Sequence, residues 1–343
     1  MVKSYYMVKN IPLFIVLFIL LVGCREEKMK KYEWRENVTT PEAYPAYLVS
    51  GKFDLEDGSK LRMFSFERSV LGDWGSSPYI AIVGEENKHL PTLLDIRWLS
   101  YVENQFYHAQ CPLPTKKIQA LFEQNYSEPW WAGEGSYSFI TVGVAPGGNL
   151  SVWLVGGKAN VLLAACKGIA IDLTLKEVGL DWAKDRQEVL DVEASNYDER
   201  DGIQAFGTAV DLKKWDRYNK RLKWQPKLKG APQGAFFGMR TYSAESYLFG
   251  VEKSPGQNLE THSVPKQFLL YIEKNKQRYI ALVKLNEEEV FAAFNRFEKL
   301  SKGDSFELEL HISETLRGLA VWLSYEEHVY VFEKVYFDMN KIS

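Results

Sequence analysis

Asp95, Arg97 and Glu103 sit within or just after an apolar run, residues 92–101, that reads as a strand. Two carboxylates a few residues apart can divide general acid and general base work, so a hydrolase using Asp95 and Glu103 is one chemistry this stretch allows. Strand edges expose the same residue types for solubility, and that plainer account carries more weight. A second cluster is Glu128-Pro129-Trp130-Trp131. Adjacent tryptophans after a proline in a loop cannot both point inward, and an exposed Trp anchors proteins or sugars. A loop folded back over a sheet edge accounts for them as well. Asp95, Arg97, Glu103, Trp130 and Trp131 are therefore the candidate contacts for a ligand or partner, and no residue is assigned as catalytic.

Other motifs point away from catalysis. His89, His108, His262, His311 and His328 show no metal-ligand spacing and have no cysteine nearby, so neither a metal nor a cofactor is expected. Ala145-Pro146-Gly147-Gly148-Asn149 lies between two strand-like runs, whereas phosphate-cradling loops open a helix; Pro followed by Gly is what a type II turn uses. Gly133-Glu134-Gly135-Ser136-Tyr137 lacks the second half of a nucleophile elbow. Cys111 and Cys166 each fall in an apolar strand, which favours two buried thiols over a disulfide, and no C-x-x-C supports redox chemistry.

Lipidation is the remaining chemistry. Lys3 and Lys9 flank the start of an apolar run, residues 11–22, too short to span a bilayer as a helix but suited to a signal peptide. Leu21-Val22-Gly23-Cys24 resembles a lipobox, where cleavage leaves an acylated Cys24 at the mature N-terminus; an uncleaved anchor with an incidental cysteine is the alternative. Several acyl chains on Cys24 would hold the protein firmly to a membrane. Residues 25–31 are charged and read as a tether. Position 25 is Arg, so the Asp that retains enteric lipoproteins at the inner membrane is absent. The expected location is the outer membrane of a bacterial cell envelope, with the periplasmic and surface faces both open. Glu26-Glu27 resembles a surface-export signal, although a solvated spacer is the plainer reading.

The elements that must position these residues repeat. Residues 92–101 and 105–111 read as strands, 115–125 as a helix, and 139–144 with 150–155 as a hairpin. Tyr107, Leu113, Phe122 and Trp153 then recur as Tyr279, Leu285, Phe294 and Trp322. In this alignment Asp95, Arg97 and Glu103 face Gln267, Leu269 and Asn275, so the shared positions are framework and the first copy alone keeps the polar set. Earlier in the chain, Asp57-Gly58 predicts a tight turn between two strands. Asn286 followed by Glu287, Glu288 and Glu289 predicts a well-capped second helix. The fold expected is α+β, two related halves, each a mostly antiparallel sheet with one helix on a face. The divisions are a signal peptide (1–23), tether (24–31), first half (32–180), helical and loop connector (181–234) and second half (235–343). Within the connector, Leu212, Trp215, Asn219 and Leu222 mark one side of a basic helix; packing on its own domain outweighs lying on an anionic membrane. A net charge of -3 supplies no basic field for nucleic acid.

The combination Leu90-Pro-Thr-Leu-Leu-Asp-Ile-Arg-Trp98, residues 103–107, Leu113-Pro114, Val142-Gly-Val-Ala-Pro-Gly-Gly148 and Val152-Trp153-Leu154 behind a lipobox resembles a family of uncharacterised bacterial lipoproteins, a domain of unknown function. The resemblance covers roughly residues 31–180. It implies an envelope lipoprotein with no accepted activity, and the proximity of relatives to secretion-system effectors implies an immunity-like role to which no residue is assigned. The leading expectation is a non-enzymatic binding module, held to the membrane through lipid on Cys24, for a protein partner. A glycan is the alternative ligand, and nucleic acid is not expected.

Overall fold

The computed structural model describes residues 29–63, 67–76, 87–124, 126–127, 134–157, 159–197, 202–250 and 261–342. Cys24, Trp130 and Trp131 lie outside them. The chain runs through β1 (Tyr32–Glu33), β2 (Arg35–Thr39), β3 (Ala46–Leu55), β4 (Lys60–Arg62), β5 (Arg68–Val70), β6 (Asn87–Lys88), β7 (Pro91–Ser100), β8 (Gln105–Pro112) and helix α1 (Thr115–Phe122). Then come β9 (Tyr126–Ser127), β10 (Glu134–Gly135), β11 (Tyr137–Ala145), β12 (Asn149–Gly156), β13 (Asn160–Lys167) and β14 (Ile169–Ile171). A 3-10 turn (Lys176–Val178), α2 (Arg186–Ala194) and α3 (Lys214–Asn219) follow. The last stretch holds β15 (Trp224–Lys229), β16 (Phe236–Thr241), β17 (Ser246–Gly250), β18 (Pro265–Lys274), β19 (Gln277–Leu285), α4 (Glu287–Ser301), β20 (Phe306–Ile312), β21 (Leu319–Tyr325), β22 (His328–Val331) and β23 (Val335–Ile342).

One pairing scheme occurs twice. Strands β14-β8-β7-β3-β4 form one sheet, and β23-β19-β18-β16-β17 repeat its order. Facing them are β2-β11-β12-β13 and β15-β20-β21-β22, each opening on a parallel pair, β2 with β11 and β15 with β20. Strand β13 meets β17 through Asn160 and Ser246, which joins two of these sheets into a continuous nine-stranded one. At this junction Trp153 Nε1 donates to the Ser243 carbonyl at 2.9 Å, and Asn160 Nδ2 donates to the carbonyls of Ala244 and Gly75 at 2.7 and 2.8 Å.

The molecule is predominantly β, which overturns the expected α+β class. Helix α1 buries Ile118 alone, too little apolar area to cover a sheet. A second sheet does that work: Leu94, Ile96 and Trp98 of β7 share a core with Ile140, Val142 and Val144 of β11 and Val152 and Leu154 of β12. These strands alternate because one side of each meets the opposing sheet. The second half is built the same way, with α4 added to its core through Val290, Phe294 and Phe297. Asn286 caps that helix by accepting from the Glu289 amide at 3.1 Å, a contact worth about 1 kcal/mol.

Candidate functional site

Alternation on β7 sends Leu94, Ile96 and Trp98 into the core and leaves Asp95 and Arg97 on the outer face of the first half's sheet. One end of that face is covered, because Val178 and Leu180 at the end of the first half and Ala183, Val189 and Leu190 of the connector pack on Tyr47, Val49, Leu99, Tyr101 and Phe106. Beyond this cover lies a groove of about 330 Å³ lined by Ser50, Gly51, Lys52, Lys60, Arg62, Asp95 and Arg97. Lys52 stands directly across from both Arg62 and Asp95, and Arg97 across from Ser50 and His108.

Asp95 is held in place. Its Oδ1 lies 3.0 Å from His108 Nε2, its Oδ2 accepts from Gln110 Nε2 at 3.1 Å, and Lys52 Nζ is 3.6 Å away. Partial burial pushes its carboxyl up, but those hydrogen bonds and the Lys52 charge together outweigh it and hold the group below the usual carboxylate range. Asp95 is thus a fixed anion and hydrogen-bond acceptor, poorly suited to act as a general acid near neutral pH.

Glu103 belongs elsewhere. Its Oε1 accepts from Tyr107 Oη at 2.8 Å and its Oε2 from the Gly147 amide at 2.8 Å, which fastens the β11–β12 turn to the β7–β8 turn. Burial and Glu103 both raise the Tyr107 hydroxyl above its ordinary value. Gly147 has φ +74, as the third position of a type II turn requires. Five strand residues separate Asp95 from the end of β7, about 16 Å at 3.3 Å each, against the roughly 5–9.5 Å between carboxylates that work as a pair. The structure therefore brings Asp95 together with Arg97 and leaves Glu103 apart, with a fastening role.

The same groove exists in the second half with different walls. His108 pairs with Arg97 and Gln110 with Asp95; the corresponding Ile280 and Leu282 pair with Tyr271 and Leu269. Leu269 and Tyr271 are thus the structural counterparts of Asp95 and Arg97, correcting the expected Gln267 and Leu269. The shift arises because the β7–β8 turn spans residues 101–104 and the β18–β19 turn only 275–276. By the same pairing Lys52, Lys60 and Arg62 correspond to Gly238, Ser246 and Leu248. Those five neutral residues all line a groove of about 200 Å³ on the second half.

Cys111 and Cys166 form a disulfide, contrary to the two buried thiols expected. Each was read within its own apolar strand, but β8 and β13 lie in facing sheets and bring the two Cα atoms to 5.8 Å, so the bond staples the first half's sheets together. Among the described residues no three His, Cys, Asp or Glu side chains gather as metal ligands would, and no helix is long and apolar enough to cross a membrane. Within the basic connector segment, Arg217 pairs with Glu287 at 3.0 Å and Lys220 with Glu298 at 2.5 Å, while Trp215 and Tyr218 are buried.

Sequence reasoning missed a buried polar network in the β16–β17 turn. Glu245, 1% exposed, accepts two hydrogen bonds from Arg221 (2.9 and 2.7 Å), one from Tyr247 (2.5 Å) and one each from Ser243 and Ser263 (3.0 and 3.3 Å). Nearby His262 is pushed down to about 4 by burial, partly opposed by Glu245. The only sequence signal was a polar cluster, residues 241–246, between apolar strands.

A family model described as a protein of unknown function (DUF2931) matches residues 24–234, more than half of the chain. No curated protein and no solved structure matches it.

Proposed function

The chain belongs to the DUF2931 family of proteins of unknown function, and on that premise we propose that it is a lipid-anchored binding protein of the bacterial cell envelope. Its working surface is the charged groove of the first half, its ligand is a protein partner, and its action is binding rather than catalysis. The observation that carries this reading is the pair of equivalent grooves. The sheet accepts Gly238, Ser246, Leu248, Leu269 and Tyr271 at five positions where the first half places Lys52, Lys60, Arg62, Asp95 and Arg97, so the fold itself does not demand those charges. Supporting the anchor are the lipobox ending in Cys24 and the Arg at position 25, which fits the outer membrane.

Two experiments test this. Labelled palmitate is incorporated by the native chain and lost in Cys24→Ala; equal labelling of both overturns the anchor. A photo-crosslinking residue at position 97 gives a discrete protein adduct in cells, whereas the same residue at the equivalent position 271 does not. No adduct at 97, or the same adduct from both positions, overturns the binding surface.

A further inference from the structure

We infer that the chain binds a second copy of itself head to tail, the open edge of β22 in one copy meeting β4 and the β3–β4 turn of the next. This goes beyond the groove reading, because it uses a strand edge and a turn and leaves the face of the groove free. The contact that carries the inference already exists once inside the chain. There β13, the last strand of one sheet, meets β17, the last strand of another, and Trp153 and Asn160 donate to the carbonyls of Ser243 and Ala244 in the β16–β17 turn. Carried forward by one half, the same relation joins β22 to β4 of a following copy. Both are end strands, and among the described residues each is paired on one side only.

Both sides of that contact are built in advance. Trp322 pairs with Val331 and Ser324 with Val329, as Trp153 pairs with Leu162 and Val155 with Asn160. Trp322, Val331 and Val329 therefore hold the positions of Trp153, Leu162 and Asn160. His311 stands where Gly143 stands, and its ring lies on Trp322 with centroids 3.8 Å apart, much as Trp74 meets Trp153 at 4.8 Å. The receiving turn matches too. The Gly58 amide donates to Leu55 at 3.0 Å and the Leu55 amide to Ser59 at 2.9 Å, the same bonds and lengths that link Ala244, Thr241 and Glu245. Gly58 has φ +80 and Ala244 φ +67. The Asp57 carbonyl thus occupies the place of the Ser243 carbonyl, which receives the Trp153 indole.

What differs is the cover. Trp153 is fully buried and Asn160 is 6% exposed at the internal junction, whereas Val329 and Val331 are 57% and 52% exposed beside a half-buried Trp322. An open edge strand carrying apolar side chains readily pairs with another strand. A second copy is the occupant because this chain carries a turn of the shape that its own equivalent shelf already holds. The two surfaces are different, so copies add in a row and do not close a twofold pair. Val329 lacks the amide of Asn160, which makes this contact weaker than the internal one and reversible. The first-half groove stays open beside it, as the second-half groove does beside the internal junction.

The test uses the full chain in cells. Asn160 and Ser246 face each other across the internal junction, so Val329 of one copy and Lys60 of the next face each other in the assembly. Opposed residues on paired strands bring their Cα atoms to about 4.5–5.5 Å, within disulfide reach. After mild oxidation, Val329→Cys/Lys60→Cys gives a ladder of linked copies on a non-reducing gel. The two single variants expressed together give a dimer and nothing larger, and each single variant alone matches the native chain. A dimer from Val329→Cys alone overturns the inference in favour of symmetric edge pairing. A link to a different protein overturns it in favour of another partner. Sedimentation of the detergent-purified chain supplies a second reading: mass rises with concentration, and Val329→Lys weakens self-association at least about tenfold by setting an ammonium against Lys60. Adding Lys60→Glu to that variant restores it, with circular dichroism unchanged throughout. Self-association indifferent to Val329→Lys, or absent by both methods, overturns the inference.

Discussion

Replacing Arg221 by Met keeps the aliphatic stem and removes the cation that hydrogen-bonds Glu245. The carboxylate is 1% exposed, and Arg221 supplies two of its five hydrogen bonds. Tyr247, Ser243 and Ser263 stay as donors but carry no charge, so the variant leaves a buried anion with no cation hydrogen-bonded to it at the junction of the halves. Breaking a buried pair in this way costs about 3–5 kcal/mol. Glu245→Gln is milder, about 1–2 kcal/mol, because the side chain of Arg221 is 32% exposed and keeps water. The double variant therefore loses less than the sum of the singles, with a coupling of at least about 1.5 kcal/mol. Equilibrium urea denaturation of all four proteins, with the disulfide intact, measures each term. A loss under about 1 kcal/mol in Arg221→Met, or additive single and double variants, would refute the account of a charge-paired network.

Three further outcomes follow from the geometry. His262 is held near 4 when folded and rises to about 6.5 when unfolded, so the unfolded state takes the proton first and stability falls as pH drops through that window, by about 2 kcal/mol between pH 7.5 and 5. His262→Phe, which sacrifices no partner of the unbonded Nδ1, flattens this dependence in thermal melts; an unchanged slope contradicts the assignment. Reducing Cys111–Cys166 opens a loop of 55 residues and lowers stability by about 4 kcal/mol on loop-closure grounds, read as a shifted urea midpoint, and no shift would contradict the staple. Gly148→Ala puts a Cβ 2.5 Å from the Gly168 carbonyl oxygen at a φ of +73, so it destabilises by about 1–3 kcal/mol, and a neutral result would show that the turn can relax.

The hairpins, the capped α4 and the recurring Tyr, Phe and Trp were legible because each leaves a local mark of alternation, capping or spacing. Which sheet a hairpin joins was not. Residues 137–156 alternate equally well beside β8 or opposite it, and only the weak apolar face of α1 hinted that another layer must cover the sheet. The counterparts of Asp95 and Arg97 were misplaced by two residues for a similar reason: a fixed offset carried through a turn of unequal length slips the register, and only the paired strands restore it. The sequence singles out Asp95, Arg97 and Glu103 on one stretch, but Lys52, Lys60 and Arg62 come from strands some 35 residues earlier and become neighbours of the first two only through pairing. The Cys111–Cys166 bond and the Arg221–Glu245 contact, across 55 and 24 residues, depend on the same long-range approach.

The central claim, that the first half's groove and not its counterpart in the second half is the working surface, is tested most directly by hydrogen exchange of the chain with and without the purified protein that crosslinks at position 97. Slowed amide exchange confined to β3, β4 and β7, with β16, β17 and β18 unchanged, is the result expected. Protection of the second half's strands, or equal protection of both grooves, would contradict it.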